Sequence, residues 1–113
     1  MIKYSHSSEY DTKGRINMTV TKEINGSSAV ICFEGWLDTP AAAEFKDVLD
    51  GLGEDVKELT VDMAKLEFIS SAGLRLIVAA HKQMNGALTI KNASVEILDV
   101  FRMTGFDKRL NIV

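Results

Sequence analysis

Residues 56–92 read VKELTVDMAKLEFISSAGLRLIVAAHKQMNGALTIKN and contain a strand, a helix and a second strand. In VKELTVDM, Leu59, Val61 and Met63 alternate with Thr60 and Asp62, the period of a half-buried strand. From Ser71 to about Asn85 the apolar residues take a helical period, and Asn85-Gly86 supplies a terminator. Arg75 is the only charged side chain between Ala72 and Ala80, so most of that helix's circumference can be buried. ALTIKN then alternates again. Two strands joined through a helix favour parallel pairing by a right-handed crossover.

The same punctuation extends in both directions. SVEILDVFRMTG reads as a helix capped by Ser94 and ended by Gly105, and a left-handed Gly105 would let Phe106 pack back on Phe101. The apolar NIV that follows is suited to an edge strand. Upstream, DTPAAAEFKDVLDGLG has Thr39 as a cap, Pro40 at the first helical position and Gly51 or Gly53 to close the helix. Its Phe45, Val48, Leu49 and Leu52 share one face. AVICF reads as an interior strand with Cys32 in the core, and NGSS turns it back onto the alternating INMTVTKE. Met18, Met63, Met84 and Met103 read as core filler. Residues 1–15 are a polar leader or the outer arm of the hairpin, with a turn-like DTKG, and residues 16–113 form one domain. The expected fold class is α/β: a mixed, mostly parallel sheet with an antiparallel N-terminal edge hairpin and helices packed on it.

The totals narrow the function. With 113 residues, 46% hydrophobic and 26% charged, the composition is that of a globular domain. A net charge of −3 and scattered basic residues, Lys108-Arg109 included, argue against a nucleic-acid footprint. The N-terminus has no signal-like apolar segment, and the longest apolar run, Leu76 to Ala80, is far too short to span a bilayer. A cytoplasmic location without membrane association is expected. The lone cysteine excludes an internal disulfide. His6 and His81 have no neighbouring ligand set, so no bound metal is expected.

Ser70 and Ser71 stand where the central helix begins, among unpaired N–H groups at the positive end of its dipole. Serine here serves as a cap, or its hydroxyl accepts a phosphoryl group; the residues admit both readings. Ala72 and Gly73 leave the hydroxyls uncrowded. Arg75 lies one turn beyond Ser71 on the same face, placed to pair with a phosphate or to remain a solvated charge. Asp38 is a turn or cap residue or part of a binding face, and Trp36 is a recognition aromatic or a lid over a strand end. No Gly-x-Ser-x-Gly elbow or Ser-x-x-Lys pattern supports a catalytic serine, so the chain is not expected to be an enzyme.

Several motifs in order carry a family resemblance over roughly residues 16–113: Val61-Asp62-Met63, Ser70-Ser71-Ala72-Gly73-Leu74, Phe101-Arg102-Met103-Thr104-Gly105-Phe106 and the turn Gly35-Trp36-Leu37-Asp38. The chain resembles the STAS domain of anti-sigma factor antagonists. The resemblance implies that Ser71 is the phosphorylated serine, with Ser70 as second choice. It also implies a partner-binding face of Asp38, Trp36, Ser70, Ala72, Gly73 and Arg75. Ser70 departs from the aspartate often found before the acceptor, which leaves kinase preference open. The implied partners are an anti-sigma factor with serine kinase activity, whose sequestration frees a sigma factor for transcription, and a serine phosphatase. ATP would belong to the kinase, so the resemblance implies no cofactor for this chain. The alternative within the same family is an interaction subunit of a transporter or sensory complex.

Overall fold

The computed structural model describes residues 2–8 and 18–113, with residues 2–8 and 18 described by backbone alone. The turn expected at DTKG, residues 16 and 17, and the side chains of His6 and Met18 lie outside the described residues. The elements run β1 (Ile2–Ser8), β2 (Met18–Asn25), β3 (Ser28–Leu37), α1 (Thr39–Asp50), β4 (Glu58–Ile69), α2 (Ser71–Gln83), β5 (Leu88–Lys91), α3 (Val95–Thr104), a 3₁₀ turn (Phe106–Lys108) and β6 (Asn111–Ile112). They form the expected α/β domain with one mixed sheet.

Strand order in the sheet follows chain order from β1 to β6. β1 pairs antiparallel with β2, and β2 with β3 through a tight turn in which Gly26 has φ +63. The β3–β4, β4–β5 and β5–β6 pairs are parallel. Because each crossover is expected to be right-handed and each advances in the same direction, all three helices fall on one face of the sheet. The burial pattern agrees. Ala29, Ile31, Phe33 and Leu37 of β3 are buried, whereas Val30, Cys32, Glu34 and Trp36 between them are exposed. Cys32 is therefore not a core residue. β3 is interior to the sheet, but among the described residues no helix covers its second face.

The core lies between the sheet and the helices. Phe45 of α1 meets Phe33 of β3 edge-on, with ring centroids 4.7 Å apart. Ile77 of α2, Ile97 and Phe101 of α3, and Val61, Met63, Leu88 and Ile90 of the parallel strands complete it. Phe106 packs against this core beyond Gly105, which has the left-handed φ of +77. Met63 is fully buried and Met84 half-buried, but Met103 is 86% exposed on the outer side of α3 and fills no core space. Helical spacing from Phe101 sets this outcome, since a residue two positions on points away from a buried one.

β4 is longer than the alternating VKELTVDM implies, because it continues to Ile69 through two irregularities. Opposite Cys32 and Glu34 it advances from Asp62 to Lys65, and opposite Gly35 and Trp36 from Leu66 to Phe68. An extra residue at each point bends and twists the strand. Ala64 and Lys65 then both point outward, as do Glu67 and Phe68, while Leu66 and Ile69 remain buried.

Candidate functional site

All three helices begin at the end of the sheet where the parallel strands finish, and each begins with a side-chain cap. Asp38 Oδ1 accepts from Ala41 N at 3.1 Å, Ser70 Oγ from Gly73 N at 3.2 Å, and Ser94 Oγ from Ile97 N at 3.2 Å. Asp38 thus performs the role expected of Thr39, which is already helical. Asp38 has the extended backbone of a cap, and Pro40 in the first turn lacks only an N–H that no helical carbonyl would have received. The positive ends of three helix dipoles share this pole of the molecule.

The two adjacent serines have different environments. Ser70 is half-buried, with its hydroxyl engaged in the cap and its N–H donating to Leu37 O at 2.9 Å. Ser71 is the first residue of α2 and is exposed. Its hydroxyl has no hydrogen-bond partner among the described residues. The first intrahelical bond, Leu74 N to Ser70 O, closes at 2.9 Å, so the N–H groups of Ser71 and Ala72 lie ahead of the ladder.

Gly73 fixes how α2 meets the sheet. A Cβ there would stand 2.8 Å from Leu37 O and 2.9 Å from Leu37 Cγ. The glycine is needed for this close approach, which holds the start of α2 against the end of β3. Asp38, the next residue after Leu37, begins α1 beside it. The structure thereby gathers Asp38, Ser70, Ser71, Ala72 and Gly73 around one pair of strand ends. Arg75 is exposed one turn along α2 from Ser71. Trp36 sits at the same strand end but on the helix-free face, 47% exposed.

One exposed aromatic was not expected from the sequence. Phe68 is 44% exposed beside Trp36, with ring centroids 5.4 Å apart and ring planes inclined at 47°. Alternation from Leu66 would have turned Phe68 inward; the second irregularity of β4 turns it out. The signal available in the sequence was LEFI itself, in which Leu66, Phe68 and Ile69 cannot all face the core in regular strand geometry.

Asp62 is a pin rather than part of the serine site, accepting from Ala64 N at 2.9 Å and from Asn92 Nδ2 at 3.3 Å. Cys32 faces the open side of the sheet with its thiol pKa raised, first by desolvation and then by the charges of Asp62 and Glu23, against a smaller opposing effect of Lys65. His81 lies ten residues along α2 from Ser71, roughly 15 Å by helical rise, too far to act as its base. Among the described residues, no group of three His, Cys, Asp or Glu side chains could hold a metal. No helix there is long and apolar enough to cross a membrane. A depression of about 520 Å³ lies at the other end of α1 and α2, between Leu49, Leu52, Val56 and Met84, and includes none of the expected site residues.

Comparison with known proteins places these features in context. A family model described as Mlab, STAS domain, matches residues 20–113. In sequence, the chain is 25% identical over 93 residues to BtrV of Bordetella bronchiseptica, a candidate anti-sigma factor antagonist, covering 79% of this chain and 80% of that protein. In structure, it resembles an anti-sigma factor antagonist from Mycobacterium paratuberculosis with a TM-score of 0.75, at 20% identity and 84% coverage of each chain. It also resembles the Bacillus cell fate determinant SpoIIAA in its phosphorylated form, with a TM-score of 0.66 at 18% identity, covering 83% of this chain and 90% of that one. At these identities the structural likeness establishes a common fold.

Proposed function

The chain belongs to the STAS-domain family, and on that premise we propose that it is an anti-sigma factor antagonist switched by phosphorylation of Ser71. It acts by binding rather than by catalysis. Unmodified, the surface around Asp38, Ser71 and the start of α2 holds an anti-sigma factor with serine kinase activity, and the sigma factor so released is free for transcription. In the off reaction the kinase joins Ser71 Oγ to the γ-phosphorus of ATP. The bond to ADP breaks, and the hydroxyl proton passes to a base of the kinase. A phosphatase hydrolyses the ester and resets the switch.

The observation that carries this reading is the difference between the serines. Ser70 is half-buried and its hydroxyl oxygen accepts the cap bond from Gly73 N, whereas the Ser71 hydroxyl is exposed at the start of α2 and has no hydrogen-bond partner among the described residues. A phosphate there carries about −1.5 to −2 charges. The N–H groups of Ser71 and Ala72 and the guanidinium of Arg75 stabilise it in the free protein. A docked partner must strip water from that anion, which costs enough to weaken the complex at least about tenfold, or roughly 1.4 kcal/mol. SpoIIAA, whose fold this chain shares, has unphosphorylated and phosphorylated forms, which supports extending the switch to this chain.

The test is incubation with purified anti-sigma factor kinases of the source organism and ATP, followed by mapping of phosphate by mass spectrometry. Ser71→Ala should abolish labelling and Ser70→Ala should retain it. Phosphate found on Ser70 alone would overturn the assignment. Absence of labelling with every such kinase would favour the transporter or sensory-complex role instead.

A further inference from the structure

The described aromatic side chains fall into two groups. Phe33, Phe45 and Phe101 are sealed in the core with Phe106 packed against it, while Trp36 and Phe68 lie side by side on the other face of the sheet, just below the strand ends that lead into Asp38 and Ser70. Two large apolar surfaces lie there with no helix among the described residues to cover them, although Glu34 and Lys65 keep the neighbouring positions of the same face polar. β4 must depart from regular register to bring Phe68 out. Paired aromatics in such a setting are the residues that concentrate binding energy at protein interfaces.

We propose that Trp36 and Phe68 form the anchor for the same partner that docks over Ser71, receiving an aliphatic side chain of that partner with a lysine or arginine beside it at Glu34. This rests on the phosphoswitch reading and adds the chemistry of recognition. The basic residue follows from charge. Among the described residues, Glu34 and Glu67 are the carboxylates next to the aromatic pair in β3 and β4, Lys65 is the cation level with Glu34, and neither Glu34 nor Glu67 has an ion-pair partner. Glu34 lies level with Lys65, four register steps of extended chain before Ser70 once the extra residue of β4 is set aside, or on the order of 13 Å. That separation exceeds the screening length of about 8 Å at physiological salt. A cation seated at Glu34 therefore does not neutralise a phosphate on Ser71, and the anchor and the switch remain separate parts of one interface.

Trp36 is the chain's only tryptophan, which supplies a direct readout. The probe is the kinase that labels Ser71, titrated into the wild type and into Trp36→Phe; the difference between the two emission series isolates Trp36. Its emission should shift to the blue as the ring is covered. In steady-state phosphorylation, Phe68→Ala should raise KM about ten- to thirty-fold with kcat within about twofold, the split expected of a docking contact remote from the transferred phosphoryl group. Glu34→Lys should raise KM and flatten its salt dependence. Circular dichroism should show Phe68→Ala folded, since the ring is outside the core. Unchanged KM in Phe68→Ala and Glu34→Lys, with no shift of Trp36 emission while Ser71 is still labelled, would overturn the anchor and leave the switch standing. Labelling that persists in Ser71→Ala would instead overturn the parent reading and the anchor with it.

Discussion

Replacing Gly73 with alanine should destabilise the protein, although alanine is the better helix former. The introduced methyl carbon would stand 2.8 Å from Leu37 O, about 0.6 Å inside ordinary contact distance. That oxygen cannot withdraw freely, because it accepts the Ser70 N–H at 2.9 Å. Relief therefore requires α2 to move off the end of β3 or the Ser70 bond to lengthen. Overpacking of this kind costs about 1–3 kcal/mol, and losing the hydrogen bond costs about another 1 kcal/mol. Against this, alanine gains up to about 1 kcal/mol in helix propensity. The balance is a loss of about 1–3 kcal/mol, which for a domain of this size, at about 4–5 °C per kcal/mol, lowers Tm by roughly 4–15 °C. Thermal melts followed by circular dichroism measure it directly. A Tm equal to or above that of the wild type would refute the claim that contact with Leu37 demands glycine.

Other outcomes follow from the same geometry. Ser70→Ala removes the cap of α2 and should cost about 1 kcal/mol in urea denaturation while leaving Ser71 open to labelling; full stability would show that the cap is not worth its geometry. Arg75→Ala should lower the Tm of the protein phosphorylated on Ser71 more than that of the unmodified protein, and equal shifts would remove the proposed pairing. Cys32 should react with iodoacetamide along a pH profile displaced upward from that of the unfolded chain, because its raised pKa delays thiolate formation. In linkage terms, a group whose folded pKa is raised contributes stability that is present below the unfolded pKa of about 8.5 and lost as pH rises through the folded value. The wild type should therefore lose stability relative to Cys32→Ser in alkaline buffer, and parallel pH curves would contradict this.

The order of elements was legible in the sequence because local signals mark it: serine caps at Ser70 and Ser94, Pro40 in a first turn, and glycine at position 105. These act within a few residues and do not depend on the rest of the fold. What was not legible depended on distant partners. Cys32 reads as core from AVICF, but its exposure follows from crossovers that all advance the same way. Thr39 and Asp38 are both competent caps, and only the backbone at the end of β3 decides between them. Phe68 was hidden for the same reason, since the register of β4 against β3 is a property of the pair. Of the serine site, the sequence located both hydroxyls at the helix start, and the coordinates separated them by showing which one bonds to the backbone.

The two extra residues in β4 make the length of that strand a carrier of information in its own right. Removing Ala64 or Glu67 would erase one irregularity and leave Phe68 outward and Ile69 inward, whereas inserting or deleting a residue in the regular stretch before them, with both irregularities kept, would reverse the faces of everything beyond it. Among relatives of this chain, gaps at the two irregularities should therefore leave both faces intact, while gaps in the regular part of the same strand should exchange them. An aligner that treats such a gap as a neutral loop event would misplace the boundary between what holds the protein together and what it shows to others.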